Sequence, residues 1–405
     1  MGLGSRKSIM CVWIGLASAG FHSSVPSAPA LSPPVDFISS SRSARSTLKD
    51  VISQRKWTLT TIQVEASSLR MLLLPVILHL NWIIFTPIIF SDPPRSPFEP
   101  LLFISHPTPS PSGDPNDPRY RRGWLDFVFV AYYIIFFSFV RQVITIKLCR
   151  SIARRYGLRK ESKLARFGEQ GYAMIYFACF GAWGLRIMSQ LPTWWYKTEY
   201  FWIDYPHWQM KPELKRYYLM QAAYWCQQLI VLAFKLEKPR NDYRELVAHH
   251  IVTLWLVGWS YGLHLTLIGN AVYMSMDIPD TFLALSKLLN YMGYDSVKTL
   301  MFIFFLSIWT YFRHYLNIVI LWSVWKEFDL IPAAAKYFRP LDDIWMAWWM
   351  KWQIFTPILL LQFLNLFWYY LILRVFVRAV KEFTVEDVRS DEDDSSDDDD
   401  NGKED

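Results

Sequence analysis

The chain has 405 residues, 52% of them hydrophobic and 17% aromatic, with 20 Trp, 22 Tyr and 28 Phe. Its apolar residues come in repeated runs of about 20, which excludes an ordinary soluble core and fits helices crossing a hydrocarbon layer roughly 30 Å thick. The formal charge of +6 is uneven: residues 386–405 hold 12 acidic and 2 basic side chains, a balance of −10 that leaves +16 on the other 385. A basic membrane body suits anionic lipid surfaces and anionic substrates, and no nucleic-acid motif accompanies it.

Residues 1–65 form a low-complexity extension rich in Ser, Pro and Arg, expected to be disordered. Lys7, the apolar run Met10–Ala19 and Ala28-Pro-Ala30 resemble a signal peptide; a disordered Ser/Arg tract or a start codon set too far upstream reads equally well. Gly2 is followed by Arg6 where myristoylation favours Ser or Thr. Residues 66–162 are expected to hold the first spanning helices and a basic loop. Met71–Phe90 is the first span, Ser91–Arg122 a Pro/Ser-rich loop, and Trp124–Ile146 the second span. Lys147–Arg166 then carries eight Lys and Arg, which places this loop in the cytosol by the positive-inside rule.

Residues 163–382 read as the catalytic membrane domain. Gly171–Leu191 spans, with Gly181 and Gly184 available for close helix approach. Pro192–Lys211 is an aromatic loop expected on the opposite side, with Trp194, Trp195 and Tyr196 at headgroup level. Leu214–Phe234 spans next, and Lys235–Arg244 returns to the basic side. A hairpin from Glu245 to Tyr291 crosses twice, and Val297–Trp325 and Gln353–Val377 complete the set. The fold class is an all-α polytopic transmembrane bundle of about eight spans (six to eight), with both termini cytosolic. Residues 383–405 form an acidic tail that cannot bury a core, in which Ser390, Ser395 and Ser396 each precede an acid by three residues and suit acid-directed kinases. Cys11, Cys149, Cys179 and Cys226 show no paired spacing and read as buried small hydrophobes, not as a disulfide or zinc framework.

The hairpin carries the chemistry. It is apolar enough to be two spans, yet holds His249, His250, Asp277, Asp280 and Lys287. A charge at the bilayer centre costs roughly 2.5–3.5 kcal/mol on insertion scales, so such groups face a functional interior. Pro239 blocks helix continuation and Asn241 or Asp242 can cap the new helix. Gly262 and Gly269 bracket the turn; centred near 265.5, it sets His250 level with about residue 281, next to Asp280. Asp277 and Asp280, three apart, share a helix face. A histidine beside a carboxylate serves as a general base or as a nucleophile toward an acyl group. Thr253, Ser260, Tyr261, Asn290 and Tyr291 add polar groups to orient a headgroup or an oxyanion, and Arg313 and His314 on the next span can reach the same cavity. Plainer roles stay open: aspartates holding a helix interface, Lys287 snorkelling, Arg313 pairing with one of the aspartates. His264 and His207 carry no assigned role. A metal site is the main chemical rival, with His249, His250, Asp277 and Asp280 as its ligand set, but no metal is expected: position 246, three before His249, is leucine, and the eight histidines of the chain lack the H-x-x-H-H spacing of membrane di-iron oxygenases.

The stretch DYRELVAHHIVTLWLVGWSYGLHLTLIGNAVYMSMDIPDTFLALSKLLNY resembles the signature of the ceramide synthases, the longevity-assurance branch of the TLC-domain family. RHYLNIVILWSVW from Arg313 and the later WYYLILRVFVR are similar to that family too, especially its fungal members. The likeness runs from about Lys163 to Lys381, with the His-His, Ser-Tyr, Asp-x-x-Asp and Lys elements in order. It departs at Met276, where animal members commonly have histidine. The resemblance implies acyl transfer from acyl-CoA to a long-chain sphingoid base in the endoplasmic reticulum membrane, with no cofactor beyond the acyl-CoA co-substrate. It also implies membrane lipids, a small regulatory subunit or a homo- or heterodimer as partners. On this reading His249 or His250 is the base or the acyl carrier, and Asp277 and Asp280 orient the imidazole and bind the amine. A non-enzymatic TLC-type lipid-binding or translocation-associated protein is the alternative.

Overall fold

A computed structural model of the chain describes residues 67–111, 113–234, 236 and 242–397, with backbone alone at 295, 296, 379, 380 and 382–397. The N-terminal extension, Pro239, Asn241 and Cys11 therefore lie outside the described residues, as do the side chains of Ser390, Ser395 and Ser396.

Among the described residues the structure is all-helical but for one antiparallel pair of two-residue strands, β1 (Pro107–Thr108) and β2 (Arg119–Tyr120). Eight long helices follow one another: α1 (Ser67–Ile89), α2 (Leu125–Arg155), α3 (Glu161–Ser189), α4 (Pro212–Ala233), α5 (Tyr243–Gly262), α6 (Thr266–Tyr291), α7 (Asp295–Lys326) and α8 (Met350–Asp397). Each expected apolar run falls on one of them. Four, α1, α2, α7 and α8, contain a segment long and apolar enough to cross a membrane. Of the other four, α5 and α6 carry His249, His250, Asp277, Asp280 and Lys287.

Helix ends differ from expectation where the helix outruns its apolar stretch. α2 continues to Arg155 through a π-helical segment, Val143–Cys149, and α3 starts at Glu161, so the expected loop Lys147–Arg166 shrinks to five residues. Arg154 and Arg155 in the last turn of α2 oppose the negative end of its dipole, which favours the extension. The Pro/Ser-rich loop is also ordered: it folds into the strand pair, Tyr120 pairs with Met210, and Arg119 holds the Asp117 carboxyl below the usual carboxylate range.

The chain forms two compact units. In the first, whose described residues run over 67–187 and 207–234, the core is aromatic. Tyr176 stacks on Tyr224 with ring centres 3.4 Å apart, and its hydroxyl donates to Gln221 at 2.6 Å. Lys215, fully enclosed, pairs with Asp126 at 2.8 Å and donates to the carbonyls of Ser105 and Arg121, so its charge is fully partnered. Close approach of α3 to α2 occurs at Gly168 and Gly171, where a Cβ would run into Thr145 and Cys149. The three described cysteines are free thiols, but only Cys149 is the buried small hydrophobe expected; Cys179 is exposed and Cys226 half-buried.

The second unit, whose described residues include 188–206 and 242–397, holds α5 to α8. Its aromatic loop is a fastening. The Tyr196 hydroxyl donates to the Ala271 carbonyl at 2.9 Å, the Trp202 indole to Ser323 at 2.7 Å and the Tyr205 hydroxyl to the Leu263 carbonyl at 2.8 Å. Tyr196 is thus buried against α6, where sequence placed it at headgroup level; only Trp194 and Trp195 of that trio stay exposed. Phe302, Phe305 and Trp309 of α7 pack with Ile372 and Val375 of α8 as the apolar part of the unit's core.

Candidate active site

The site is built on the α5–α6 hairpin. Asp242 occupies the position before α5, but its side chain makes no capping bond; its carboxylate accepts from the Trp368 indole of α8 at 3.3 Å. The turn is only three residues, Leu263–Leu265, because His264 takes a left-handed conformation at φ 58°. That backbone is uncommon for a non-glycine residue. His264 is held there by its Nε2 against the Asp343 carboxylate at 2.8 Å, so it is the clasp of the hairpin, not the incidental residue expected. At the other end α6 stops in a Schellman motif: Gly293 at φ 80° donates to the Asn290 carbonyl and Tyr294 to that of Leu289.

The shorter turn changes the register. Centred on residue 264, it puts His250, 14 residues before it, level with residue 278, 14 residues after it. Residue 278 lies between Asp277 and Asp280, so the hairpin sets the imidazole and both carboxylates at one depth, about 21 Å from the turn at 1.5 Å per residue.

His249 and His250 are both buried, and their rings stand 5.6 Å apart at 89°. The Nδ1 of His250 lies 2.8 Å from its own helix carbonyl at Leu246. A carbonyl only accepts, so Nδ1 carries the hydrogen and Nε2 the lone pair. His249 presents its ring edge-on to Trp368 at 5.3 Å.

Asp277 is fully enclosed, one turn from Asp280. Pro279 removes the N–H that would meet the Ser275 carbonyl, and the next carbonyl, of Met276, accepts from Arg313 at 2.8 Å. Arg313 lies within a π-helical segment of α7, Thr310–Leu316, a feature frequent at functional sites. It pairs with Asp280 at 2.7 Å, donates to Asn365 of α8 at 3.2 Å and stacks over Trp309 at 4.2 Å. Of the two aspartates, Asp280 is thus the one whose charge Arg313 balances. Met276, where the family resemblance departs, accepts at its sulfur from the Asn365 amide at 3.6 Å.

The remaining candidates are spread along the helices. Thr253 is half-buried one turn from His249. Ser260 donates back to the Leu256 carbonyl of α5 at 2.6 Å, near the turn end with Tyr261. Lys287, Asn290 and Tyr291 occupy the last two turns of α6. Ser260 is about 15 Å along its helix from His250, and Asn290 equally far from Asp280, so neither group joins the histidines. His314 neighbours Arg313 and meets Gln362 at 2.9 Å. Among the described residues no three His, Cys, Asp or Glu side chains are grouped closely enough to hold a metal ion.

Sequence reasoning missed the contribution of α8. Gln362, Asn365 and Tyr369 are polar at i, i+3 and i+7 inside an apolar run and line one face toward α7. That spacing was the available signal.

Buried imidazoles, a buried carboxylate and a buried guanidinium on α5, α6 and α7, in a chain with several membrane-length apolar helices, define a helical membrane protein with an enclosed polar centre. Residues 166–374 match the TLC domain of the TRAM, LAG1 and CLN8 proteins. The chain is 42% identical over 300 residues to sphingosine N-acyltransferase lac1 of Schizosaccharomyces pombe, covering 72% of this chain and 74% of that protein. It is 40% identical over 280 residues to ceramide synthase LAG1 of Saccharomyces cerevisiae, covering 68% and 66%, and 31% identical over 229 residues to ceramide synthase 4 of Bos taurus, covering 56% and 54%. The chain belongs to the TLC-domain family, on the branch of the fungal sphingosine N-acyltransferases.

Proposed function

We propose that this membrane protein is a ceramide synthase, transferring the acyl group of acyl-CoA to the amine of a long-chain sphingoid base. The observation that carries the reading is the buried imidazole pair of α5 set level with Asp277 and Asp280 of α6. Both substrates bring alkyl chains that already partition among membrane helices. The amine is mostly an ammonium at neutral pH, so it must lose a proton before it attacks. The lone pair on His250 Nε2 takes that proton; nitrogen attacks the thioester carbonyl, the C–N bond forms, the C–S bond breaks, and the thiolate recovers a proton as CoA. In a two-step route an imidazole nitrogen carries the acyl group first. Asp277, with Arg313 balancing Asp280, holds the imidazole and receives the cationic amine. The groups about 15 Å away along the hairpin, Ser260 and Tyr261 on one side and Lys287, Asn290 and Tyr291 on the other, serve the distant parts of these long substrates. No cofactor is needed beyond acyl-CoA. The same reading puts the chain in the endoplasmic reticulum membrane with eight spans and both termini cytosolic, alone or with a small regulatory subunit.

The test is a product profile. Microsomes expressing the chain are given sphinganine and acyl-CoAs of graded length, and N-acyl products are resolved by mass spectrometry. Ceramides above the level of microsomes lacking the chain are expected for a limited band of chain lengths; no increase at any length rejects the proposal.

A further inference from the structure

The polar stripe between α7 and α8 is not explained by the Arg313 cluster alone. Asn317, fully enclosed, donates its amide to the Gln362 carbonyl oxygen at 2.7 Å. That bond orients the Gln362 amide, so its nitrogen faces His314 Nδ1, 2.9 Å away, and donates to it. An accepting Nδ1 leaves the His314 hydrogen on Nε2. The chain of bonds therefore ends in a donor, His314 Nε2–H, and begins at an acceptor, Asn317 Oδ1. Both atoms are buried, and neither has a hydrogen-bond partner among the described residues. A buried polar group left unmet costs about 1–3 kcal/mol, so two unmet ends of one network point to a ligand group that both donates and accepts. A hydroxyl is the smallest such group a lipid carries.

We infer that His314, Gln362 and Asn317 form a subsite that reads a hydroxyl of the long-chain amino alcohol, accepting from it at Asn317 and donating to it at His314. The inference rests on the acyltransferase reading and adds to it the feature of the base that is recognised. Its placement fits: Arg313, beside His314, is bonded to α6 at Asp280 and Met276, and Trp368, beside Tyr369, packs on His249. Tyr369 covers the His314 ring at 4.5 Å and is latched to Thr310 by an exposed bond of 2.9 Å. Gln362 is a positioning residue, since it acts through His314.

The experiment compares kcat/KM for sphinganine with that for analogues lacking either the C1 or the C3 hydroxyl, at one fixed acyl-CoA, in microsomes carrying the wild type, Gln362→Met or Asn317→Leu. The ratio between bases does not depend on how much enzyme is folded. The wild type should use one deoxy base at least about tenfold less efficiently than sphinganine, as sites that bond a substrate hydroxyl do. Each variant should bring that ratio within about twofold of unity by losing efficiency on sphinganine alone. Wild-type ratios near unity for both analogues overturn the inference, and so do variants that keep the wild-type ratio. Should one variant lose all turnover, the wild type and the other variant still decide. Wild-type microsomes that acylate none of the bases fail the acyltransferase reading itself, a distinct outcome.

Discussion

Arg313→Met tests how α6 is joined to α7. The guanidinium pairs with Asp280 at 2.7 Å and donates to Met276 and Asn365 from a fully buried position. Breaking a buried pair by removing one partner costs about 3–5 kcal/mol, because the remaining charge is left uncompensated. The Asp280 side chain is 22% exposed, so the low end, about 3 kcal/mol, applies. Asp280→Asn leaves Arg313 its two bonds and its contact with Trp309, and should cost about 2 kcal/mol. In the double variant no unpaired charge remains, so its cost should stay near 3 kcal/mol, a coupling of about 2 kcal/mol. The assay is equilibrium unfolding of the purified protein in mixed micelles with increasing SDS, read by tryptophan fluorescence. Additivity of the two single changes within about 0.5 kcal/mol would show that the pair does not form.

Three further outcomes follow from packing and backbone geometry. Gly171→Leu should lower stability by about 1–3 kcal/mol in the same titration, because its side chain meets Cys149 of α2, whereas Gly258→Ala, with open space around it, should be neutral or stabilise by up to about 1 kcal/mol. His264→Gly loses the buried imidazole and its bond to Asp343 but suits the left-handed backbone, while His264→Val also forces a β-branched residue into φ near 58° and should be the more destabilising by about 1–2 kcal/mol. Trp368→Phe keeps an aromatic edge against His249 but drops the bond to Asp242, so kcat/KM for ceramide formation should fall less than tenfold; Trp368→Ala, which removes the wall of the imidazole, should fall further.

Much of this architecture is legible in the sequence, for reasons that can be named. Burying a helix in lipid demands about 20 apolar residues, so α1, α2, α7 and α8 announce themselves by their runs. His249, His250, Asp277 and Asp280 stand out because such groups are costly at that depth. Helix ends are harder: Arg150 to Arg155 read as a loop by charge, yet they continue α2, since a helix leaving the membrane has no need of apolar residues. The π-helical segments of α2 and α7 have no composition of their own to read. The partner of Asp280 was undecidable from spacing, because Arg313 arrives from another helix and its reach depends on how α6 and α7 pack. The role of Tyr196, Trp202 and Tyr205 was hidden because aromatics at a membrane interface and aromatics fastening a loop have the same composition. Gln362, Asn365 and Tyr369 were readable as a stripe, and only their partners on α7 give the stripe a meaning.

The central claim is that the buried histidines of α5 and the enclosed carboxylate of α6 act on one acyl group. Its most direct test is the rate of ceramide formation from sphinganine and acyl-CoA by equal amounts of purified, monodisperse protein, wild type against His249→Ala, His250→Ala and Asp277→Asn. The account predicts that Asp277→Asn and at least one of the histidine changes each lower the rate by about a hundredfold or more, as removal of a general base or its orienting group does. Rates within twofold of wild type for all three variants would contradict it.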